Sequence, residues 1–407
     1  MLLFAPHAVA AFANYNSVLI GERAAGMAGA FSALSKDPAA TPFYNPATTA
    51  LLDGSSLSAT VNVYNKFDTN IGETNDASTA PLRINRGFFR SLPASSGTIV
   101  KFNSFAIGLS ILVPDYDSYS GQIESTEHVN SSLNFVDESL WVGGTMAAKL
   151  TPRDRIGLTV YYTARNLSRT ASDRITTTDN TAATITLEEK NLTSNAIVPI
   201  LGYHRALSPS WSFGVSYRAP SLPIAGEASY LKSVTTTSPY STTLVNYGKL
   251  RAVTKIPAKL TLGVAREVPN KNTLSIDVQI YEGLNYQDLP EADVGSDYTE
   301  HQQITNLAVG YEQYLRDWLT VRFGYFTNLS SYSAPRSDRS QRQGDHIDMN
   351  GFSANFNIQT QKQTSFTFGG YYNGGSGTTT QIVNQNLVVL PKSQQVFTML
   401  VATSFNF

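Results

Sequence analysis

Most of the chain alternates between apolar and polar residues, which is the pattern of β-strands with one buried face. Residues 319–325 read LTVRFGY, and residues 353–359 read SANFNIQ. In each segment the apolar side chains fall on one face and the polar ones on the other. The pattern therefore predicts β-sheet whose two faces meet different surroundings.

The predicted strands follow a regular order along the chain. Single strands at 57–67 and 395–407 flank six pairs whose members are joined by two to five residues, whereas the links between pairs are long and polar. Outer-membrane barrels have short turns at one end, long loops at the other and an even strand number, whereas a β-sandwich gives no reason for this separation. We predict an all-β fold, a transmembrane antiparallel β-barrel of 14 strands over residues 54–407. The predicted pairs are 87–102 with 105–116, 140–150 with 156–166, 187–206 with 211–220, 254–267 with 273–284, 303–315 with 318–328, and 349–360 with 365–372.

One stretch, residues 21–52, lacks the alternation and is rich in Ala and Gly. Apolar residues at helical spacing over 24–34, and the pairs Asp37-Pro38 and Asn45-Pro46, predict three short helical pieces, because Asp and Asn cap helices and Pro suits the first helical position. These pieces carry too little large apolar surface to form a core of their own. We expect residues 14–53 to be a hatch that packs inside the barrel.

Composition fits a membrane barrel and excludes other classes. Charged residues make up 15% of the chain, against about 25% in soluble domains. The net charge of -1 and the lack of a basic patch argue against nucleic acid as a partner. There is no Cys, so thiolate chemistry is excluded, and neither a metal nor another cofactor is expected.

The first 13 residues, MLLFAPHAVAAFA, are apolar and end in small residues. This composition resembles the end of a secretory signal peptide, although the basic region that opens such a peptide is missing. The favoured interpretation is a signal-peptide remnant over residues 1–13, and the alternative is an ordinary buried segment.

The chain resembles the FadL-type outer-membrane transporters of long-chain fatty acids and other hydrophobic compounds. The resemblance rests on the Gly-rich opening, the triplet Asn45-Pro46-Ala47, the fourteen predicted strands and the terminal Phe407. Its most specific part is GMAGAFSALSKDPAATPFYNPA, which matches the hatch pattern of that family. The hatch residues marked by the resemblance are Gly21, Gly26, Met27, Gly29, Phe31, Asp37, Asn45, Pro46 and Ala47.

This resemblance implies transport of hydrophobic small molecules across the bacterial cell outer membrane by passive diffusion, with lateral exit through the wall at a kinked third strand. The implied partners are a hydrophobic ligand, the lipid bilayer and the barrel-assembly machinery, for which a terminal Phe is a common tag. A monomer is expected.

Two groups of residues are candidates for the transport path. Gly108 and Pro114 could mark the kink, because Pro cannot donate to a strand ladder and Gly weakens one; a strand that simply ends at Pro114 is the alternative. Arg165, Arg218 and Arg322 are predicted to point into the lumen. They could bind a ligand carboxylate, or pair with acidic residues of the wall and the hatch.

Other functions remain as alternatives. A non-transporting barrel, such as an adhesin or a structural protein, would share the strand pattern, and a general porin would need an open lumen, which the hatch would block. An outer-membrane lipid hydrolase would need a Ser–His site, but no G-x-S-x-G motif occurs among the residues of the chain. We therefore expect no enzymatic activity.

Overall fold

A computed structural model describes residues 13–52, 54–72, 82–125, 128–177, 179–293, 298–336, 344–361, 363–383 and 386–407. The predicted signal-peptide remnant lies almost wholly outside the described residues, since the description begins at Ala13. Within the described residues, no helix is long and apolar enough to cross a membrane.

The wall of the molecule is built from fourteen antiparallel strands, each paired with a neighbour on both sides, so that the sheet closes on itself. The first strand pairs with the last from Ser56 opposite Asn406 to Ile71 opposite Lys392. The predicted 14-stranded barrel is confirmed. Its strands are β1 (Ser56–Ile71), β2 (Leu82–Lys101), β3 (Phe105–Ser125), β4 (Val129–Lys149), β5 (Asp154–Thr176), β6 (Ala183–Ala206), β7 (Trp211–Arg218), β10 (Lys259–Val268), β11 (Asn272–Tyr281), β14 (Ile304–Arg316), β15 (Leu319–Asn328), β16 (His346–Gln361), β17 (Thr364–Val383) and β18 (Asn386–Asn406).

A belt of exposed apolar side chains surrounds the lower part of the wall. On β5, for example, Leu158, Val160 and Tyr162 point outward while Thr159, between two of them, is buried in the lumen. Farther along β5 the outward positions become polar, beginning at Asn166. An apolar band of this kind is the lipid-facing surface of a membrane barrel.

Four further strands lie outside the predicted set. The hairpin of β8 (Leu222–Thr237) and β9 (Tyr240–Arg251) pairs with the upper part of β6, and β12 (Leu284–Gln287) pairs with β13 (Tyr298–His301) in a small separate sheet. Several links that the sequence predicts as loops also continue as strands, as in β3 and β4. Above the membrane both faces of a strand can be polar, so the alternation that reveals the lower strands is lost there.

The hatch lies inside the barrel and contains α1 (Arg23–Gly26), α2 (Thr41–Tyr44) and a 3₁₀ helix (Pro46–Leu51). The first predicted helix is a single turn, because Ala28 and Gly29, directly after it, adopt positive φ angles of 55° and 78°. The second begins at Thr41, later than the Asp37-Pro38 pair predicts. The third begins at Pro46 with Asn45 as its cap, at the position that the sequence indicates.

Contact between hatch and wall is close enough to require glycine in the wall. A Cβ atom at Gly202 would lie 2.1 Å from Oδ1 of Asn45, and one at Gly157 would lie 2.4 Å from the carbonyl carbon of Pro46. The same close approach recurs around the barrel. The wall glycines in this position are Gly97, Gly157, Gly202, Gly214, Gly263, Gly310 and Gly324.

Candidate functional site

A buried ion network fixes the hatch to the wall. Arg23 of α1 donates through Nε and Nη2 to the two carboxylate oxygens of Glu312 on β14, over 3.0 and 2.6 Å. Arg322 on β15 donates to the same carboxylate over 2.7 Å, and Thr273 on β11 adds a fourth hydrogen bond. Glu312 is fully buried, so its charge depends on these partners.

Asp277 on β11 makes a second attachment to the hatch. Its Oδ2 accepts hydrogen bonds from the backbone N–H groups of Phe31 and Ser32, over 2.9 and 2.8 Å. Within the hatch, Asp37 accepts from the N–H groups of Arg23 and Ala24 at the start of α1. These carboxylates bind backbone donors that a one-turn helix and its loop would otherwise leave unpaired.

Asn45 joins three parts of the molecule. Its Oδ1 accepts from the N–H of Ala47 over 3.1 Å, and its Nδ2 donates to the carbonyls of Ser32 over 2.7 Å and Tyr203 of β6 over 3.0 Å. One side chain therefore caps the 3₁₀ helix, ties it to the preceding loop and holds it against the wall.

The other residues of the hatch motif are also buried in the plug. Gly21 has a φ of 82°, and a Cβ there would lie 2.3 Å from Oδ2 of Asp37. Gly26 approaches Asn355 of β16 equally closely, while Met27 and Phe31 belong to the apolar cluster of the hatch. Burial, together with the nearby Asp37 carboxylate, raises the pKa of the neighbouring hatch residue Glu22 to about 7.

Two small adjoining cavities lie above the hatch, of about 60 and 20 Å³, and we call them together the inner cavity. Tyr15, Phe43, Pro114 and Arg218 line both of them. Several of the largest lining side chains are aromatic. Phe43 packs edge-on against Trp141 with ring centroids 6.0 Å apart, and Tyr15 stacks on Tyr281 at 4.6 Å.

Two cations at the ends of neighbouring strands face the inner cavity. Arg218 ends β7, Lys259 begins β10, and the two are directly paired across the sheet. The Arg218 guanidinium lies 5.8 Å from the Trp141 ring and 5.7 Å from the Tyr281 ring, and Lys259 Nζ lies 5.4 Å from the Phe43 ring. Aromatic faces attract cations, but they do not neutralise their charge.

Neither cation forms an ion pair with a carboxylate within the described part of the chain. Arg218 is 7% exposed, its Nη2 donates to the carbonyl of Pro257 over 3.2 Å, and its buried Nε has no acceptor. Asp115 also lines the cavity, but it forms no ion pair with Arg218 and instead accepts a hydrogen bond from Ser139 over 2.9 Å. A buried cation without a directly paired carboxylate is costly, so Arg218 and Lys259 leave positive groups that an anion could complement.

The third predicted lumen cation has a different environment. Arg165 on β5 also lines the inner cavity, but its guanidinium binds both carboxylate oxygens of Asp137 on β4. It donates a further hydrogen bond to Thr254 over 3.3 Å. His301 also lines the cavity. Burial and the nearby Arg165 lower the pKa of His301 to about 4, so its side chain is neutral at pH 7.

The barrel wall is interrupted beside the inner cavity. Between Leu112 and Asp115 the register of β3 against β4 shifts, so that Val113 and Pro114 together face one residue, Leu140. Pairing of β3 with β2 ends at the same place, at Leu112 opposite Ser95, within the residues that the structure describes. Gly108, by contrast, lies in the regularly paired part of β3. The register shift therefore lies at Val113 and Pro114 and not at Gly108.

No protein-family model matches the sequence, and no curated protein matches it significantly. Solved structures match it over nearly its whole length. A FadL homologue from Pseudomonas aeruginosa superposes with a TM-score of 0.71 at 16% identity and covers 97% of this chain and 100% of its own. The toluene transporter TodX from P. putida gives 0.68 at 14%, covering 95% and 98%. The toluene transporter TbuX from Ralstonia pickettii gives 0.62 at 12%, also covering 95% and 98%.

The chain has the FadL-type fold. At such low identity the match concerns the fold alone. It extends over the closed barrel and most of the N-terminal segment, since 95–97% of this chain is covered. The resemblance predicted from the hatch motif is confirmed at the level of the fold. All three matched proteins are named as a FadL homologue or as transporters.

The structure brings Pro114, Arg165 and Arg218 together around the inner cavity and places Arg322 below it, in the ion network of the hatch. Sequence reasoning missed the aromatic lining and Lys259. Trp141 carried a usable signal, because it occupies a lumen-facing position on β4 between outward-facing Leu140 and Val142. A large aromatic residue on the otherwise polar lumen face indicates a cavity wall.

Proposed function

We propose that this protein lets hydrophobic small molecules cross the bacterial outer membrane by passive diffusion, and that the molecule leaves the inner cavity sideways between β2 and β3. The observation that carries the proposal is the position of Pro114. This residue lines the inner cavity and also lies where β3 separates from β2. A ligand in the cavity would therefore lie next to the place where β3 parts from β2, and an exit there would lead it to hydrocarbon.

The packed hatch supports this path over a vertical one. Its ion network, its backbone hydrogen bonds to Asp277 and the close glycine contacts leave little space between plug and wall. A hydrophobic ligand would also gain nothing by entering periplasmic water, whereas the bilayer offers it an apolar environment. The same filled lumen argues against a general porin.

Within this class, the inner cavity favours a ligand with an acidic head group, such as a long-chain fatty acid, over a neutral hydrocarbon. Arg218 and Lys259 lie side by side among the rings of Trp141, Tyr281 and Phe43, and neither is in an ion pair in the part of the chain that the structure describes. The toluene transporters show that the fold is compatible with neutral ligands. The cations are the features of this chain that point to an acid.

The two parts of the inner cavity have volumes of only about 60 and 20 Å³. Ligand binding must enlarge them, because typical ligand sites measure roughly 300–1,000 Å³. Tyr15 lines both and is held by stacking on Tyr281. We propose that the ligand displaces the Tyr15 ring and so joins the two spaces.

Deletion of Pro114 tests the path. With one residue fewer, β3 and β4 can pair without the register shift, and β3 can continue along β2. We expect the variant to insert as a normal barrel and to lose most uptake of a labelled long-chain fatty acid by cells. Deletion of Thr151, in the short β4–β5 turn, serves as the control. Full uptake by the Pro114 deletion would refute the lateral path.

A further inference from the structure

A second concave surface lies on the outside of the wall, where β4, β5, β6, β8 and β9 form one continuous sheet. It encloses about 810 Å³, and we call it the outer groove. Its polar lining comes mostly from outward-facing positions on these strands. The polar side chains of the lining include Glu138, Asn166, Ser168, Asn191, Thr193 and Glu227.

The shape of the groove follows from irregular pairing of β8. The register of β8 shifts against β6 between Asn195 and Ala196, and it shifts against β9 between Ala228 and Tyr230. Such bulges bend a strand and increase its twist. The β8–β9 hairpin therefore curves relative to β5 and β6, and the outward face between them becomes concave.

The groove begins where the apolar belt ends. On β5, outward Tyr162 belongs to the belt and outward Asn166 to the groove. On β8, Leu222 and Ile224 are strongly exposed and apolar, and Glu227 follows them in the groove. Because the belt faces the lipid chains, the next surface above it faces the head groups of the same lipids.

Cross-strand hydrogen bonds orient the amide groups of the lining. Ser168 Oγ donates to Asn191 Oδ1 over 2.8 Å, and Thr193 Oγ1 donates to Asn166 Oδ1 over 3.3 Å. Both amide oxygens are thus engaged, while both Nδ2 groups lack a protein acceptor within the described residues. The carboxylates of Glu138 and Glu227 add acceptors, although Glu227 also lies 3.5 Å from exposed Lys249.

We propose that the outer groove binds the saccharide head group of an outer-leaflet glycolipid whose acyl chains lie against the belt directly below. This inference rests on the outer-membrane location given under the proposed function. A sugar hydroxyl both donates and accepts hydrogen bonds, and so matches the mixture of amide donors and carboxylate acceptors. Among the described residues, no Lys or Arg belongs to the lining of the groove, which favours sugar hydroxyls over phosphate groups.

Two glycolipids with the same anchor test the proposal. The purified full chain in detergent is titrated with lipopolysaccharide that carries core sugars and, separately, with lipid A alone. We expect about tenfold tighter binding of the sugar-bearing lipid, and we expect Asn166→Ala combined with Asn191→Ala to remove that preference. The control is Asn134→Ala, on the same outward face of β4 but outside the groove lining.

Equal binding of the two lipids by the wild-type chain would overturn the proposal, as would an unchanged preference in the double variant. Free core oligosaccharide that bound as tightly as the sugar-bearing lipid would overturn the membrane as the source of the ligand. Fatty-acid uptake is measured on the same variants and should stay normal. If the wild-type chain takes up no fatty acid, that result counts against the proposed transport function and not against the groove.

Discussion

Two buried groups of cations lie in the same lumen and differ in one respect. Below the inner cavity, Arg23 and Arg322 share the carboxylate of Glu312, and we call these three residues the lower group. Beside the cavity, Arg218 and Lys259 contact aromatic rings and form no ion pair within the described residues, and we call them the upper group. The first group is complete without a ligand and holds the hatch in place, whereas the second is incomplete. Buried charge in a plugged barrel thus has two roles, and the presence of a carboxylate partner separates them.

Removing the hatch should have the largest effect. Deletion of residues 14–45 takes Arg23 from the lower group but leaves Arg322 paired with Glu312, so the wall keeps an intact pair. A lumen of 14 strands lies between the filled interior of about 8 strands and the open channels of about 16–18. We expect leakage of small polar solutes and a measurable single-channel conductance. An unchanged conductance would show that the hatch does not close the lumen.

The next test breaks the lower group while the hatch stays in the chain. Glu312→Gln leaves buried Arg322 without its carboxylate and leaves Arg23 with only the half-buried Glu267, 3.3 Å away. The free energy of unfolding should therefore fall by about 3–5 kcal/mol. Denaturant unfolding in detergent measures the change. Glu300→Gln is the control, since Glu300 is exposed on β13. A loss equal to that of the control would mean that the lower group contributes nothing to stability.

The upper group should respond in the opposite way. Arg218→Met combined with Lys259→Met removes two unpaired buried charges, so stability should be unchanged or higher. Fatty-acid uptake should fall by about ten- to a hundredfold, because the charge-assisted hydrogen bonds to the head group are lost. Toluene uptake should not change. Arg266→Met, at an exposed position on β10, is the control. Equal loss for both ligands would exclude head-group recognition.

The smallest expected effect concerns the cap of the 3₁₀ helix. Asn45→Ala removes the acceptor for Ala47 and the donors to Ser32 and Tyr203. We expect a loss of about 1 kcal/mol in stability, an intact barrel and reduced fatty-acid uptake. Asn45→Ser keeps an oxygen at the cap and should recover part of the stability. If uptake by Asn45→Ala equals that of wild type, the cap does not affect the inner cavity.

The barrel could be predicted from sequence because lipid imposes a strict alternation on every strand that crosses the membrane. The same reasoning missed β8 and β9, because residues 225–251, above the apolar belt, lack the sustained apolar alternation of the wall strands. It also predicted that Arg322 faces the lumen, but parity alone could not show that its partner is Glu312. Which side chains meet across a lumen depends on strand tilt and register, which the sequence does not carry directly.

The inner cavity shows the same limit. Pro114 and Arg218 are 104 positions apart, and their approach depends on the circumference of the closed wall. Phe43 reaches the cavity only because α2 follows two tight turns of the hatch. Local patterns predicted the elements, and closure of the barrel then determined which residues form the site.

The wall glycines have a consequence for the order of assembly. The hatch is synthesised before any strand, yet the glycines that accommodate it run from Gly97 on β2 to Gly324 on β15. Clearance of this size would not admit the segment into a finished barrel. We expect that the seam between β1 and β18 closes last, around a hatch already in position. The hatch would then act as a template that determines the circumference of the barrel around it.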